Sequence, residues 1–166
     1  MKSRPRVCCY VFLLVSLLLM TPGTVRANSS PPYPGYAVGA DASSAQQLFQ
    51  LLDRDRAQSG LPPLIWDSGL AAAAQKHTQL MADRNQASHQ LSGEAPLARR
   101  LAGVPWDAAG ENIALNTSIS RANTWLMNSP PHRANILSRT YNAVGIGVVW
   151  KGNQVWVTED FARRLQ

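Results

Sequence analysis

Three histidines occur in the chain, His77, His89 and His132, and two of them stand in distinctive local settings. His89 follows Ser88 just beyond a helix-forming stretch, and His132 sits directly after Pro130-Pro131 and before Arg133-Ala134-Asn135-Ile136. Between them lies Gly110-Glu111-Asn112-Ile113-Ala114, a single carboxylate among small and apolar residues. Glu111 is 22 residues after His89 and 21 before His132. Two imidazoles and a carboxylate are the donor types of an open zinc site that keeps water in its fourth position. They are equally the donor types of a hydrogen-bonded cluster that orients loops, and spacing this long does not choose between the two. His77 lies three residues before Leu80 and four before Met81, which puts it on the core-facing side of a helix as a packing or supporting group. Compact signatures are missing: there is no Gly-rich phosphate loop, no Gly-x-Ser-x-Gly elbow and no His-Glu-x-x-His helix. Any site must be assembled from distant segments.

The elements that would do the assembling can be read from periodicity. Leu48, Leu51 and Leu52 set a first helix from Ala45 that ends near Gly60, before Pro62-Pro63. Asp67 caps a second, with Leu70, the run Ala71 to Ala74, His77, Leu80 and Met81 along it; four adjacent alanines leave a thin surface that another element can approach closely. Glu94 to Leu101 predicts a short third helix, and Ser120 to Asn128 a fourth, stopped by Ser129-Pro130-Pro131. Two β-rich runs, 143–150 and 154–158, flank Lys151-Gly152-Asn153 as a hairpin, with a further strand at Asn112 to Leu115. Helices first and a hairpin last imply an α+β layer structure, not a dinucleotide-binding βαβ fold. The five tryptophans are expected to fill the core, with Trp150 and Trp156 able to share one face of the hairpin.

The first 27 residues read as a secretory signal peptide, a basic start followed by the apolar run Val7 to Met20 and the small-residue site Val25-Arg26-Ala27. That run is about 14 residues, short of the roughly 20 a spanning helix needs, so no stable membrane span is expected after cleavage. The whole chain carries a formal charge of +6, but Lys2, Arg4, Arg6 and Arg26 fall in this segment with no acid. Without them 12 basic residues face 10 acidic ones, a balance of +2 that offers no nucleic-acid footprint, and Arg99-Arg100 and Arg163-Arg164 read as solvated ends. Cys8 and Cys9 also lie in the signal, which removes thiol catalysis and Cys-ligated zinc from the mature chain. Residues 28–44 are rich in Pro, Gly and Ser and read as a flexible leader, leaving 45–166 as the domain.

In order, Ser88-His89, Gly-Glu-Asn-Ile-Ala at 110–114, Trp125-Leu-Met-Asn-Ser-Pro-Pro-His-Arg-Ala-Asn-Ile-Leu137 and Val144-Gly-Ile-Gly-Val148 resemble the SCP domain of the CAP superfamily, which includes cysteine-rich secretory proteins, antigen-five allergens and plant pathogenesis-related proteins. The likeness runs from about Ala45 to Phe161, includes Leu61-Pro-Pro-Leu-Ile-Trp66, and is nearest to the cysteine-free bacterial branch. It implies an α-β-α sandwich with a small central antiparallel sheet and a cleft holding His89, Glu111 and His132. Eukaryotic relatives carry a second glutamate a few residues past the Trp matching Trp125; here that stretch reads Leu126-Met127-Asn128-Ser129, which leaves Asn128 or Glu94 as accessory groups. The resemblance implies a secreted monomer, extracellular or periplasmic, that binds a lipid or other cell-envelope ligand and not nucleic acid. A divalent metal such as zinc on His89 and His132 is part of that expectation. The alternatives are a metal-dependent hydrolase, with Glu111 as ligand or base, and a non-catalytic interaction module.

Overall fold

A computed structural model describes residues 40–165; the signal peptide at 1–27 and the leader as far as residue 39 lie outside the described residues. The element order is α1 (Ala40–Gln58), β1 (Ile65–Trp66), α2 (Ser68–Arg84), α3 (Leu97–Arg100), β2 (Trp106–Asn116), α4 (Ile119–Asn128), α5 (Pro130–Ile136), β3 (Ala143–Lys151) and β4 (Gln154–Arg164). The four strands form one sheet in the order β1-β3-β4-β2. The expected hairpin and third strand are its antiparallel part, with β4 between β3 and β2. The two-residue β1, which hydropathy does not mark, adds a parallel pair, Ile65 opposite Ala143 and Trp66 opposite Val144.

Strand alternation sends β3 and β4 side chains into two separate cores, which makes the expected α-β-α sandwich. On one face Val144, Ile146, Val148, Val155, Val157 and Phe161 meet Leu48 and Leu52 of α1, Ala122 and Leu126 of α4 and Ile136 of α5. The other face belongs to α2, whose Leu70, Ala73, Met81 and Ala82 meet Ala143, Ala162, Val149 and Trp156. The alanine run lets α2 lie directly against β3: a Cβ on Gly145 would fall on the backbone of Leu70 and Ala71, and one on Gly147 on the backbone of Ala74. Small residues on both partners thus set the interlayer distance. α2 is fixed at its start by Asp67, whose Oδ1 accepts the Leu70 N–H at 2.9 Å, and at its end by Asn85 in the left-handed conformation. Arg56, 1% exposed, ties α1 to α5 within one layer by donating to the carbonyls of Pro62, Ile136 and Ser138.

Several expectations are corrected. α1 begins at Ala40 inside the stretch read as leader, where alanines favour helix and Ser44 Oγ accepts the Trp150 indole N–H at 3.0 Å. The third helix shrinks to Leu97–Arg100 because Pro96 stands at its N-cap and Gly93 has a φ of 76°. Pro130-Pro131 ends α4 but also starts α5, since proline is suited to the first helical turn. Trp150 and Trp156 point to opposite faces, Trp150 pairing with Val155 and Trp156 with Val149; Trp156 is 2% exposed and Trp150 39%.

Candidate functional site

Edge strand β2 carries the site, and its alternation divides the chemistry between the two faces of the sheet. Glu111 lies opposite Asp160 of β4 and Asn112 opposite Glu159. Glu111 and Asp160 face the α2 layer; Asn112 and Glu159 face the α4–α5 layer. All four are buried.

On the α2 side an ionic cluster surrounds Glu111. His89, in the loop after α2, holds Nδ1 at 2.9 Å from Glu111 Oε1. Arg100, from the end of α3, donates Nη2–H to Glu111 Oε2 at 2.5 Å and to the His89 carbonyl at 3.2 Å. His77, fully buried on α2, places Nδ1 2.7 Å from Glu94 Oε1 and Nε2 3.8 Å from Glu111 Oε2, so it joins the two glutamates. Glu94 also accepts the Leu91 N–H and stands 4.0 Å from Arg100 Nε. Burial pushes the Glu111 carboxyl up, but the His89 hydrogen bond and the Arg100 guanidinium, with help from His77, outweigh it and hold the group below the usual range. The Glu111 hydrogen bond in turn raises His89 against the opposing effect of burial. Asp160 is pushed far up, first by burial and then by the Glu111 charge. Neither Asp160 oxygen has a hydrogen-bond partner.

On the other side Asn112 acts as a staple. Its Nδ2 donates to the His132 carbonyl at 3.1 Å and to Glu159 Oε2 at 3.0 Å, and its Oδ1 accepts from Asn135 Nδ2 at 2.9 Å. Asn135 Nδ2 also reaches the Glu111 carbonyl at 3.3 Å. These bonds press α5 onto the β2 edge at Gly110, where a Cβ would collide with the Tyr141 hydroxyl. Serine 129 fixes the His132 ring, Oγ to Nδ1 at 2.8 Å. Burial and the neighbouring His89 lower the His132 pKa.

His89 and His132 therefore meet from opposite layers, their rings stacked with centroids 6.5 Å apart and planes at 28°. Trp125 of α4 continues the row, its centroid 5.0 Å from that of His132. Each histidine spends Nδ1 on the protein and keeps Nε2 for something else. Glu94 and His77 enter through the cluster behind Glu111, while Asn128 is exposed at the end of α4. Arg100 is not the solvated end its sequence suggests: its side chain is 8% exposed. Arg163 does face solvent, paired with Asp107.

A zinc ion needs three or four protein donors converging at about 2.0–2.3 Å. Among the described residues no group of three His, Cys, Asp or Glu side chains is set to hold a metal ion. Both Glu111 oxygens are already engaged by His89 and Arg100, and the guanidinium puts a positive charge where a cation would need a carboxylate. The donor set does not fit a three-ligand site. A carboxylate held this firmly ionised is also a weak base for activating water.

Sequence analysis missed Arg100, Asp160 and the Asn112–Asn135 staple. A signal existed for one of them: Glu159-Asp160 places two carboxylates in succession between Val157 and Phe161, inside a strand whose neighbours are all buried.

Comparison with known proteins agrees with this architecture. The family model described as the cysteine-rich secretory protein family, CAP, matches residues 49–161. An uncharacterised Bacillus subtilis protein, YkwD, is 32% identical over 118 residues, 69% of this chain and 45% of its own length. The B. subtilis protein YlbC, described as an uncharacterised membrane protein, is 32% identical over 126 residues, 74% of this chain and 35% of its own. An SCP-domain extracellular protein from Bacillus anthracis superposes with a TM-score of 0.70 at 30% identity, covering 78% of this chain and 45% of that one. The chain thus spans less than half the length of each of these three relatives. Among the described residues no helix is long and apolar enough to cross a membrane. With the family model covering most of the chain and these bacterial relatives alongside it, the chain belongs to the cysteine-rich secretory protein (CAP) family as an SCP domain of bacterial type.

Proposed function

We propose that the domain works outside the cytoplasm as a binding protein for a small cell-envelope ligand, gripped at the cleft mouth by His89 and His132 without a metal. The observation that carries this reading is the division of labour between floor and mouth. Glu111, Glu94, Arg100 and His77 pair with one another in the floor, where His77 Nε2 and Arg100 Nε and Nη1 stay without a hydrogen-bond partner. The His89 side chain above them is 58% exposed and retains a free Nε2. A hydrolase would need a basic carboxylate open to water or a metal-activated water; Glu111 is held ionised below the usual range, and Asp160 is fully buried. Fixed imidazoles beside an exposed aromatic ring suit recognition, where preorganisation limits the entropy lost on binding.

The test is titration calorimetry of the purified protein with three probes, a β-1,4-linked N-acetylglucosamine tetramer, palmitate and phosphatidylglycerol vesicles, with EDTA present. Saturable binding of one probe, weakened about tenfold or more in His89→Ala with His132→Ala, is the expected result, each lost hydrogen bond being worth about 1 kcal/mol. Absence of saturable binding to all three, or binding restored only by added zinc, would overturn it.

A further inference from the structure

We propose that the α1–α4–α5 face of the sandwich docks on the surface of a bilayer containing anionic phospholipid, through Arg54, Arg121, Arg133 and Arg139 together with the exposed Trp125. This surface lies outside the cleft and does not depend on the ligand bound there. The balance of +2 read from the sequence hides how the charges are sorted. Among the described residues ten Lys and Arg residues are exposed, against two acidic ones, Asp83 and Asp107. Most of the other acids turn inward: Asp67, Glu111, Glu159 and Asp160 are buried, and Glu94 is spent on His77. The exterior is therefore strongly positive although the chain is close to neutral.

The unpaired part of that charge gathers on one layer. Elsewhere most cations have partners: Lys151 reaches the Ala82 carbonyl, Arg84 the Ser92 carbonyl, Arg163 pairs with Asp107 and Arg164 with Asp67. Arg54 on α1, Arg121 on α4, Arg133 on α5 and Arg139 just beyond it are exposed, and among the described residues none of their side chains makes an ion pair or hydrogen bond. The acids nearest them are taken, since Asp53 accepts the Leu64 N–H at 3.2 Å and Asp55 accepts from Asn123 at 2.7 Å. The Asp55–Asn123 bond and the Arg56 bonds to Ile136 and Ser138 hold α1 against α4 and the end of α5, so the four guanidinium groups ride on one rigid surface.

Arginine suits phosphate, because the planar guanidinium engages two oxygens of one group. The indole favours a bilayer over a soluble polyanion. Trp125 follows Arg121 by about one turn of α4 and stands 5.0 Å from His132, the residue before Arg133, yet it remains 49% exposed. Such a ring beside cations is stabilised at the headgroup level of a membrane, where tryptophan is enriched, and finds no comparable apolar boundary along a hydrated polymer of phosphates. Trp150, the other half-exposed indole, is anchored through its N–H to Ser44.

The experiment is co-sedimentation of the chain from residue 28, which holds every element of the described fold, with vesicles of phosphatidylglycerol and phosphatidylcholine or of phosphatidylcholine alone. Binding is expected only to the anionic vesicles and should fall steeply between about 0.05 and about 0.5 M salt. An arginine near an anionic surface is worth about fivefold in affinity, so Arg121→Gln with Arg133→Gln should bind about 25-fold more weakly, while Lys76→Gln with Arg99→Gln on the α2 side should change little. Phosphatidylglycerol brominated on its acyl chains should quench the fluorescence of wild type and of Trp150→Phe more than that of Trp125→Phe. Equal affinity of wild type and a folded Arg121→Gln with Arg133→Gln, or equal binding to both kinds of vesicle, would overturn the docking face. So would binding of soluble polyglycerol phosphate without binding of vesicles. Retention of vesicle binding by His89→Ala with His132→Ala is expected; its loss there, with the arginine variant unaffected, would overturn this proposal while leaving the cleft as the lipid site.

Discussion

Glutamate 159 offers the most quantitative perturbation. It is fully buried, accepts one hydrogen bond from Asn112, and leaves Oε1 without a partner. Burial raises its pKa from 4.5 to about 7, with the Asn112 bond opposing and the Asp55 charge adding to the rise. An acid whose folded pKa lies above its unfolded one stabilises the fold fully below the unfolded value, and that contribution is lost as pH climbs through the folded value. The window here runs from 4.5 to about 7, and a gap of that size is worth about 3 kcal/mol. Between pH 5 and pH 8 the wild type should lose about 2.5 kcal/mol through this residue alone. Glu159→Gln keeps the acceptor for Asn112 and cannot ionise. Urea unfolding of both proteins at pH 5, 6, 7 and 8 should show the variant gaining on the wild type by about 2.5 kcal/mol, a relative midpoint shift of about 1–2 M. Asp160, His89 and His132 titrate in both proteins and cancel in the comparison. Parallel pH profiles for the two would refute the argument, because the side chain would then be ionising without cost.

Other substitutions probe the scaffold and the floor. Gly147→Val drives a side chain into the backbone of α2 at Ala74 and should destabilise by about 3 kcal/mol, read as a lowered urea midpoint. Arg56→Ala removes the donor to the carbonyls of Pro62, Ile136 and Ser138, after α1 and at the end of α5, and should lower stability by about 3 kcal/mol in the same assay. Arg100→Leu strips Glu111 of its guanidinium, so the Glu111 pKa should rise in a carboxyl NMR titration while stability falls by about 3 kcal/mol.

Much of the fold was readable because it depends on local pattern. Asp67 and the alanines after it announce α2, and the β-branched runs around Lys151-Gly152-Asn153 announce the hairpin. Glycines 145 and 147 show why the alanine run matters, and that contact lies over seventy positions away in sequence. Strand β2 was read as Asn112 to Leu115 and runs from Trp106 to Asn116, because Asp107 and Glu111 break the apolar alternation in order to serve the surface and the site. The same cause hid the second half of β4, where Glu159 and Asp160 interrupt the apolar run. Histidines 89 and 132 and Glu111 were visible as residue types in unusual settings. Arg100 was not, since an arginine pair at the end of a short helix reads as solvated until the fold turns one member inward against Glu111. Trp125 fared likewise: a tryptophan beside buried Leu126 reads as core, and only the position of α5 places His132 next to it.

Glu111 is locked as a carboxylate between His89 and Arg100, where His132 approaches from the opposite layer. Following the imidazole Hε1 resonances of His89 and His132 against pH, in the wild type and in Glu111→Gln, tests it directly. His89 should titrate above the ordinary histidine value and His132 below it, and Glu111→Gln should bring His89 down. Two histidines titrating alike at the ordinary value, with His89 unmoved by the substitution, would contradict it.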